Sequence, residues 1–228
     1  MQLIKQLRFL VAGVSMLTAS SAYAVTDAQQ VVRHASDQVI AALEAEKETL
    51  ADHPEKIYAL VDQHVLPLFD FDRMSYYVLG RAWKEASDEQ KAVFQDEFKY
   101  LLISTYATAL AEFTSEEEIV YLPVQTSSNP KVMVVPTEIR QKAGSSIAVA
   151  YRMYLNADAW QIFDVVIDGV SLVTNYRASF SGQIRKGGLD GLIASLRAHN
   201  KKKTAKSGDQ AMSGHMQNNQ TAEASVSQ

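Results

Sequence analysis

The sequence predicts an α+β fold: a curved four-stranded antiparallel sheet wrapped by helices around an apolar cavity. Three observations predict it. Apolar residues recur at three- and four-residue spacing through the first half of the chain, most strongly across residues 87–113. Between Ile119 and Asp168 the period shortens to two over four consecutive segments, and helical spacing returns after Gly169. Helices first, then neighbouring strands, then helices again give segregated layers, and a long helix across a curved sheet encloses a cone-shaped space.

The chain opens on a targeting pattern. Lys5 and Arg8 form a basic start, residues 9–17 an apolar run, and Ala22, Tyr23 and Ala24 an A-x-A site. The run falls short of the roughly 20 residues that span a bilayer. Residues 1–24 therefore read as a signal peptide, with a mature chain from Val25 outside the cytoplasm; an uncleaved amphipathic anchor is the other reading. The chain has no cysteine, which excludes disulfides, thiol nucleophiles and thiolate metal sites. An exported domain of this kind is held by its core alone, which 228 residues permit.

Asp27 is placed to cap a first helix to about Leu50, with Val31, Val32, Ala35, Val39 and Leu43 near helical period. Pro54 suits a first helical turn, and Ile57, Leu60, Val61 and Val65 follow until Pro67. Asp70 or Asp72 caps a short helix that Gly80 ends. Ser87 and Gln90 then form a capping box, with Asp88 and Glu89 at the positive end of the helix dipole. Phe94, Phe98, Leu101, Leu102, Tyr106, Leu110 and Phe113 make this helix a one-sided apolar stripe.

Residues 119–123, 131–140, 145–156 and 159–168 read as strands joined by short loops, an antiparallel meander. The third alternates most clearly, through Ile147, Val149, Tyr151, Met153 and Leu155. In the fourth, strict alternation points Trp160, Ile162 and Val166 one way and Phe163, Val165 and Ile167 the other. Ser171 caps a last helix through Tyr176, Phe180 and Ile184, which Gly187 and Gly188 interrupt before Leu189, Leu192, Ile193 and Leu196. Residues 25–199 form one domain. The segment 200–228 has little apolar content and reads as a disordered tail.

The residues offer little catalytic chemistry. The net charge of −4 gives no reason to expect nucleic acid. Histidines at 34, 53, 64, 199 and 215 lack metal-ligand spacing, and no nucleophile elbow, P-loop or dinucleotide fingerprint occurs. Asp70 and Asp72 flank Phe71 in a pattern that holds a cation in some proteins; capping explains it more simply. Glu116, Glu117 and Glu118 read as a solvated turn. Asp164, in a strand rich in large apolar residues, serves as a general base beside a tyrosine, or else faces solvent or pairs with Arg152 on the neighbouring strand. Asp168 belongs to an Asp-Gly turn. An isomerase or dehydratase using Asp164 and a Tyr is thus one reading, and an interaction module with a solid core another.

Two blocks carry a family resemblance, residues 78–110 and 160–196. Leu79 and Gly80 before an aromatic, the S-x-x-Q helix start at Ser87, the strand holding Trp160 and Asp164, the run Gly169, Val170, Ser171, and the run Gly188 to Leu192 resemble the MlaC, or toluene-tolerance auxiliary, family of periplasmic phospholipid-binding proteins. The resemblance covers about residues 30–197. It implies an NTF2-like cone and a monomeric, non-enzymatic periplasmic carrier without a cofactor, its cargo a phospholipid with buried acyl chains. The partners it implies are an outer-membrane lipoprotein complex and the MCE-domain subunit of an inner-membrane ABC transporter. By pattern, Phe98, Leu102, Tyr106, Leu110, Val149, Tyr151, Met153, Val165, Ile167, Val170 and Tyr176 are expected along the cavity, with Tyr77, Val78 and Leu79 near them.

Overall fold

The computed structural model describes residues 19–53, 56–111, 117–141 and 144–226. Its sheet is an antiparallel meander in the spatial order β1 (Glu118–Tyr121), β3 (Val132–Arg140), β4 (Ser146–Asn156), β5 (Ala159–Ile167) and β6 (Val170–Ser171), with β2 (Gln125–Thr126) paired to the same edge of β3 as β1. The four expected strands are present, and two two-residue strands extend the sheet. Ala157, at φ 50°, and Asp158 turn the β4–β5 hairpin. Asp168, at φ 47° before Gly169, makes the tight turn into β6, and its carboxylate accepts the Ala148 amide at 3.0 Å.

The helices are α1 (Ala19–Ala45), α2 (Lys47–Asp52), α3 (Ile57–His64), α4 (Phe71–Leu79), α5 (Arg81–Glu85), α6 (Asp88–Ala111) and α7 (Leu172–Val226). Local chemistry places their ends. The Asp70 carboxylate accepts the Arg73 amide at 2.9 Å to start α4, and Gly80, at φ 58°, closes it. At α6 the capping box is reciprocal: the Gln90 amide donates to Ser87 Oγ at 3.2 Å, and the Ser87 amide donates to Gln90 Oε1 at 3.0 Å.

Helix α6 departs from the one-sided stripe, because its apolar residues serve three separate cores. Phe94, Phe98 and Leu101 join α4 and α7 in a helical core with Met74, Val78, Phe180, Leu192, Ile193 and Leu196. Leu102 and Tyr106 turn to the sheet. Ile103 and Leu110 pack with Val39, Leu43, Ile57, Leu60 and Val61 of α1 and α3. A helix apolar on several sides is a central strut, not a lid.

Helix α7 is interrupted where the glycine pair stands: Gly188 takes φ 67°, ψ −171°, a conformation open to little but glycine. Beyond it Leu192, Ile193 and Leu196 return to the helical core. The helix continues to Val226, so the 200–228 segment, expected to lack structure, is helical in backbone as far as that residue. Of the signal segment, residues 1–18 lie outside the described residues, as do Pro54, Phe113 and Glu116, while residues 19–24 belong to α1.

Candidate functional site

One face of the sheet gathers the large apolar side chains. Strand pairing aligns Tyr121 with Thr137, Thr137 with Val149, and Val149 with Ile167; the next rung sets Val135 beside Tyr151 and Tyr151 beside Val165. Met133, Met153, Trp160 and Ile162 continue the face, and Ala28 and Val32 of α1, Leu102 and Tyr106 of α6, and Leu172 and Tyr176 of α7 cover it. Period-two alternation supplies this face on β3 and β4.

On β5 the alternation breaks. The register slips between Arg152 and Met153: Arg152 pairs with Asp164, Met153 with Ile162, and Phe163 is the extra residue. This bulge puts Trp160 and Ile162 on the same face as Val165 and Ile167, correcting the opposed assignment that strict alternation predicts. It also leaves the Ile162 carbonyl free to accept the Asp70 amide at 2.9 Å, which fastens the start of α4 to the sheet. Phe163 turns away and packs its ring on Tyr77 at 5.6 Å.

Tyr151 sits at the middle of this face. Burial pushes its phenol up to about 12 from an ordinary value of 10.0. Yet the residue is only half-buried by surface, although β3 and β5 flank it and three helices lie above. Leu102, Tyr106, Ile139, Ile147, Leu155 and Ile167 on the same face are likewise half-buried. Burial also raises the Tyr106 and Tyr176 phenols, whose hydroxyls are close enough to interact.

The residues expected along a cavity divide. Leu102, Tyr106, Val149, Tyr151, Met153, Val165, Ile167 and Tyr176 come together on this face. Val78, Leu79 and Phe98 instead lie in the helical core, where the Phe98 ring stacks on Phe94 at 5.4 Å and meets Tyr176 edge-on at 5.2 Å. Leu110 belongs to the α1–α3 core, because it lies two turns beyond Leu102 on a helix that changes partners. Tyr77 is exposed beside Tyr76, and Val170, in the turn after β5, is 56% exposed. Sequence reasoning left out Tyr121, Ile139, Ile147 and Leu155. The alternation of β4 marks Ile147 and Leu155; nothing local marks Tyr121, whose position depends on pairing with β3.

Asp164 has structural partners in place of a tyrosine. Its carboxylate is buried and fully engaged: Oδ2 accepts Ser171 Oγ at 2.7 Å and Arg152 Nη1 at 3.3 Å, and Oδ1 accepts the Val173 amide at 3.1 Å. It caps α7 from the neighbouring strand, pairing with Arg152 but not facing solvent, and no tyrosine hydroxyl is among these partners. Asp72 Oδ1 accepts from Gln95 at 2.7 Å, and Asp70 holds the start of α4, so both carboxylates have structural work. No group of three metal-ligating side chains occurs among the described residues.

Comparison with known proteins agrees with this architecture. Residues 33–198 match the family model for the MlaC protein. The chain is 23% identical over 184 residues to the intermembrane phospholipid transport system binding protein MlaC of Haemophilus influenzae, covering 80% of this chain and 86% of that one. It is 23% identical over 161 residues to toluene tolerance protein ttg2D of Pseudomonas putida, covering 70% and 74%. A phospholipid-binding protein from Ralstonia solanacearum, solved in complex with a phospholipid, superimposes with a TM-score of 0.72 at 32% identity, over 78% of this chain and 99% of that one. With most of its length matched, and its sheet and helices arranged as in that structure, the chain belongs to the MlaC family.

Proposed function

We propose that this protein is a periplasmic phospholipid carrier that holds acyl chains between the apolar sheet face and helices α1, α6 and α7. The observation that carries the reading is the architecture shared with the Ralstonia solanacearum protein solved with a phospholipid, together with a sheet face on which isoleucine, leucine and tyrosine side chains stay half-buried beneath those helices.

The energetics suit a shuttle. Each methylene removed from water contributes about 0.8 kcal/mol, so two chains of roughly 15 methylenes are worth about 24 kcal/mol as an upper bound. Unaided escape from a bilayer into water is therefore very slow. A dry protein hollow offers nearly the environment of the bilayer, which keeps transfer between them close to balanced. Donor and acceptor, on this reading, are an outer-membrane lipoprotein complex and the MCE-domain subunit of an inner-membrane ABC transporter, served by a soluble monomer that needs no cofactor and performs no catalysis.

Native mass spectrometry of protein purified without added lipid tests the reading. Adducts of phospholipid mass that organic extraction removes are expected; spectra showing only bare polypeptide after repeated mild preparations would overturn it.

A further inference from the structure

Resting on the carrier reading, a second question is how the carrier meets a membrane, and the basic end of the chain bears on it. Lys201, Lys202, Lys203 and Lys206 put four positive charges into six residues of α7. The family match stops at residue 198, so the run lies past the shared architecture. It also opposes the charge of the domain it follows. Residues 25–199 carry 16 basic and 24 acidic side chains, and residues 200–228 carry four basic and two acidic.

The run starts from a fixed point. Glu97 of α6 accepts Arg197 Nε at 3.1 Å through Oε1 and Asn200 Nδ2 at 2.8 Å through Oε2, and the same Asn200 nitrogen donates to the Glu97 carbonyl at 3.0 Å. These bonds hold α7 on α6 up to the residue before the first lysine, and they engage both oxygens of the carboxylate. Lys201, Lys202 and Lys203 are exposed. Like charges one turn apart, as at Lys202 and Lys206, destabilise a helix, and Asp209 is the one acid within a turn of the run in sequence. An anionic surface laid along the run removes that repulsion. No helix among the described residues is long and apolar enough to cross a membrane. Contact is therefore with headgroups, through charge.

We propose that Lys201, Lys202, Lys203 and Lys206 dock the carrier electrostatically on a bilayer containing anionic phospholipid, on the side of the domain where Glu97 holds α7. The domain's own negative balance is repelled by such a surface, so the run decides which side approaches. Each lysine held close to anionic headgroups gives about a five-fold gain in binding, and three acting together give on the order of a hundred-fold.

Flotation of the purified protein with phosphatidylcholine vesicles, with and without phosphatidylglycerol, tests this. Binding should require phosphatidylglycerol and disappear at about 1 M sodium chloride, where the screening length is about 3 Å. Combining Lys201→Gln, Lys202→Gln, Lys203→Gln and Lys206→Gln should weaken binding by about a hundred-fold. Melting temperature and co-purified lipid should stay unchanged. A control combining Lys47→Gln, Lys84→Gln, Lys131→Gln and Lys186→Gln changes the net charge equally, at exposed positions, and should leave binding nearly intact. The salt titration of the unaltered protein keeps the test independent of how the variants fold. Equal binding to both vesicles, indifference to salt, a run variant that binds like its parent, or an equal loss in the control would each overturn the docking surface and leave the carrier intact. Release by inorganic phosphate at constant ionic strength would reveal a discrete anion site and overturn it too. Protein that floats as expected yet carries no lipid would overturn the carrier reading alone.

Discussion

Ser171 Oγ donates to the Asp164 carboxylate at 2.7 Å and accepts the Thr174 amide at 3.1 Å, so one hydroxyl joins β5 to the start of α7. With the Val173 amide also on Asp164, this helix start is satisfied by a side chain from β5, across the turn at Asp168 and Gly169.

The first prediction concerns this joint. Asp164→Ala strands the Val173 amide and the Ser171 hydroxyl in a buried place and should cost about 3–5 kcal/mol. Arg152→Ala should cost at most about 1 kcal/mol, because the guanidinium side is 48% exposed and screened by solvent. Urea unfolding measures both. An Asp164→Ala protein as stable as its parent would show that the cap is idle.

A second prediction concerns alkaline pH. The Tyr151 phenol rises to about 12 in the folded chain from 10.0, so above pH 10 the unfolded chain loses this proton first. The folded state then binds more protons, and stability falls as pH rises between about 10 and 12, by roughly 2–3 kcal/mol across the window. Tyr106, Tyr121 and Tyr176, also raised chiefly by burial, act in the same direction. Tyr151→Phe should lessen the alkaline loss, as followed by circular dichroism alongside tyrosinate absorbance. An unchanged profile in that variant would place the sensitivity elsewhere.

Third, the proposed cargo space and the solid core should respond oppositely to changes of volume. Leu102→Trp, on the sheet side of α6, should reduce co-purifying lipid severalfold while the protein stays folded, since it fills space the cargo needs. Phe98→Ala, four residues earlier in a closed aromatic cluster with Phe94 and Phe180, should cost about 3–5 kcal/mol. Lipid bound per folded molecule should change little in that variant. Lipid extraction and denaturant titration on the two proteins separate the cases; a Phe98→Ala protein that is stable but empty of lipid would assign this ring to the cargo site.

Fourth, the helix boundaries carry measurable stability. Ser87→Ala removes one half of the reciprocal box and should cost about 1 kcal/mol. Gly188→Ala forces a β-carbon into a conformation suited to glycine and should cost about 1–3 kcal/mol, although nothing crowds the position. Thermal melts of the two variants give the comparison, and an unaffected Gly188→Ala would mean the break relaxes into continuous helix.

Much of the fold was legible. The capping box at Ser87, the caps at Asp70 and Ser171, the break at Gly188 and the four main strands all follow from local chemistry and spacing. Of the candidate site, the face of β4 was readable because its alternation is uninterrupted. The faces of β5 were not, because the bulge at Phe163 is specified by what its neighbours bind rather than by any residue type. Phe98 and Leu102 look equivalent in sequence, one helical turn apart, yet one is enclosed in the helical core and the other, half-buried, packs between that core and the sheet.

The sequence by itself determined the starts of α4, α6 and α7, the end of α4 at Gly80 and the extents of the four main strands, because capping, turn geometry and hydrophobic period act over a few residues. It did not place the ends of α1, which runs through Asp27 and stops at Ala45. Only the tertiary structure decided which side chains meet one another, sending Phe98 into the helical core, Leu110 to α1 and α3, and Tyr151 to the face that three helices cover. That choice depends on strand register and helix placement across more than a hundred residues, and no local rule carries it.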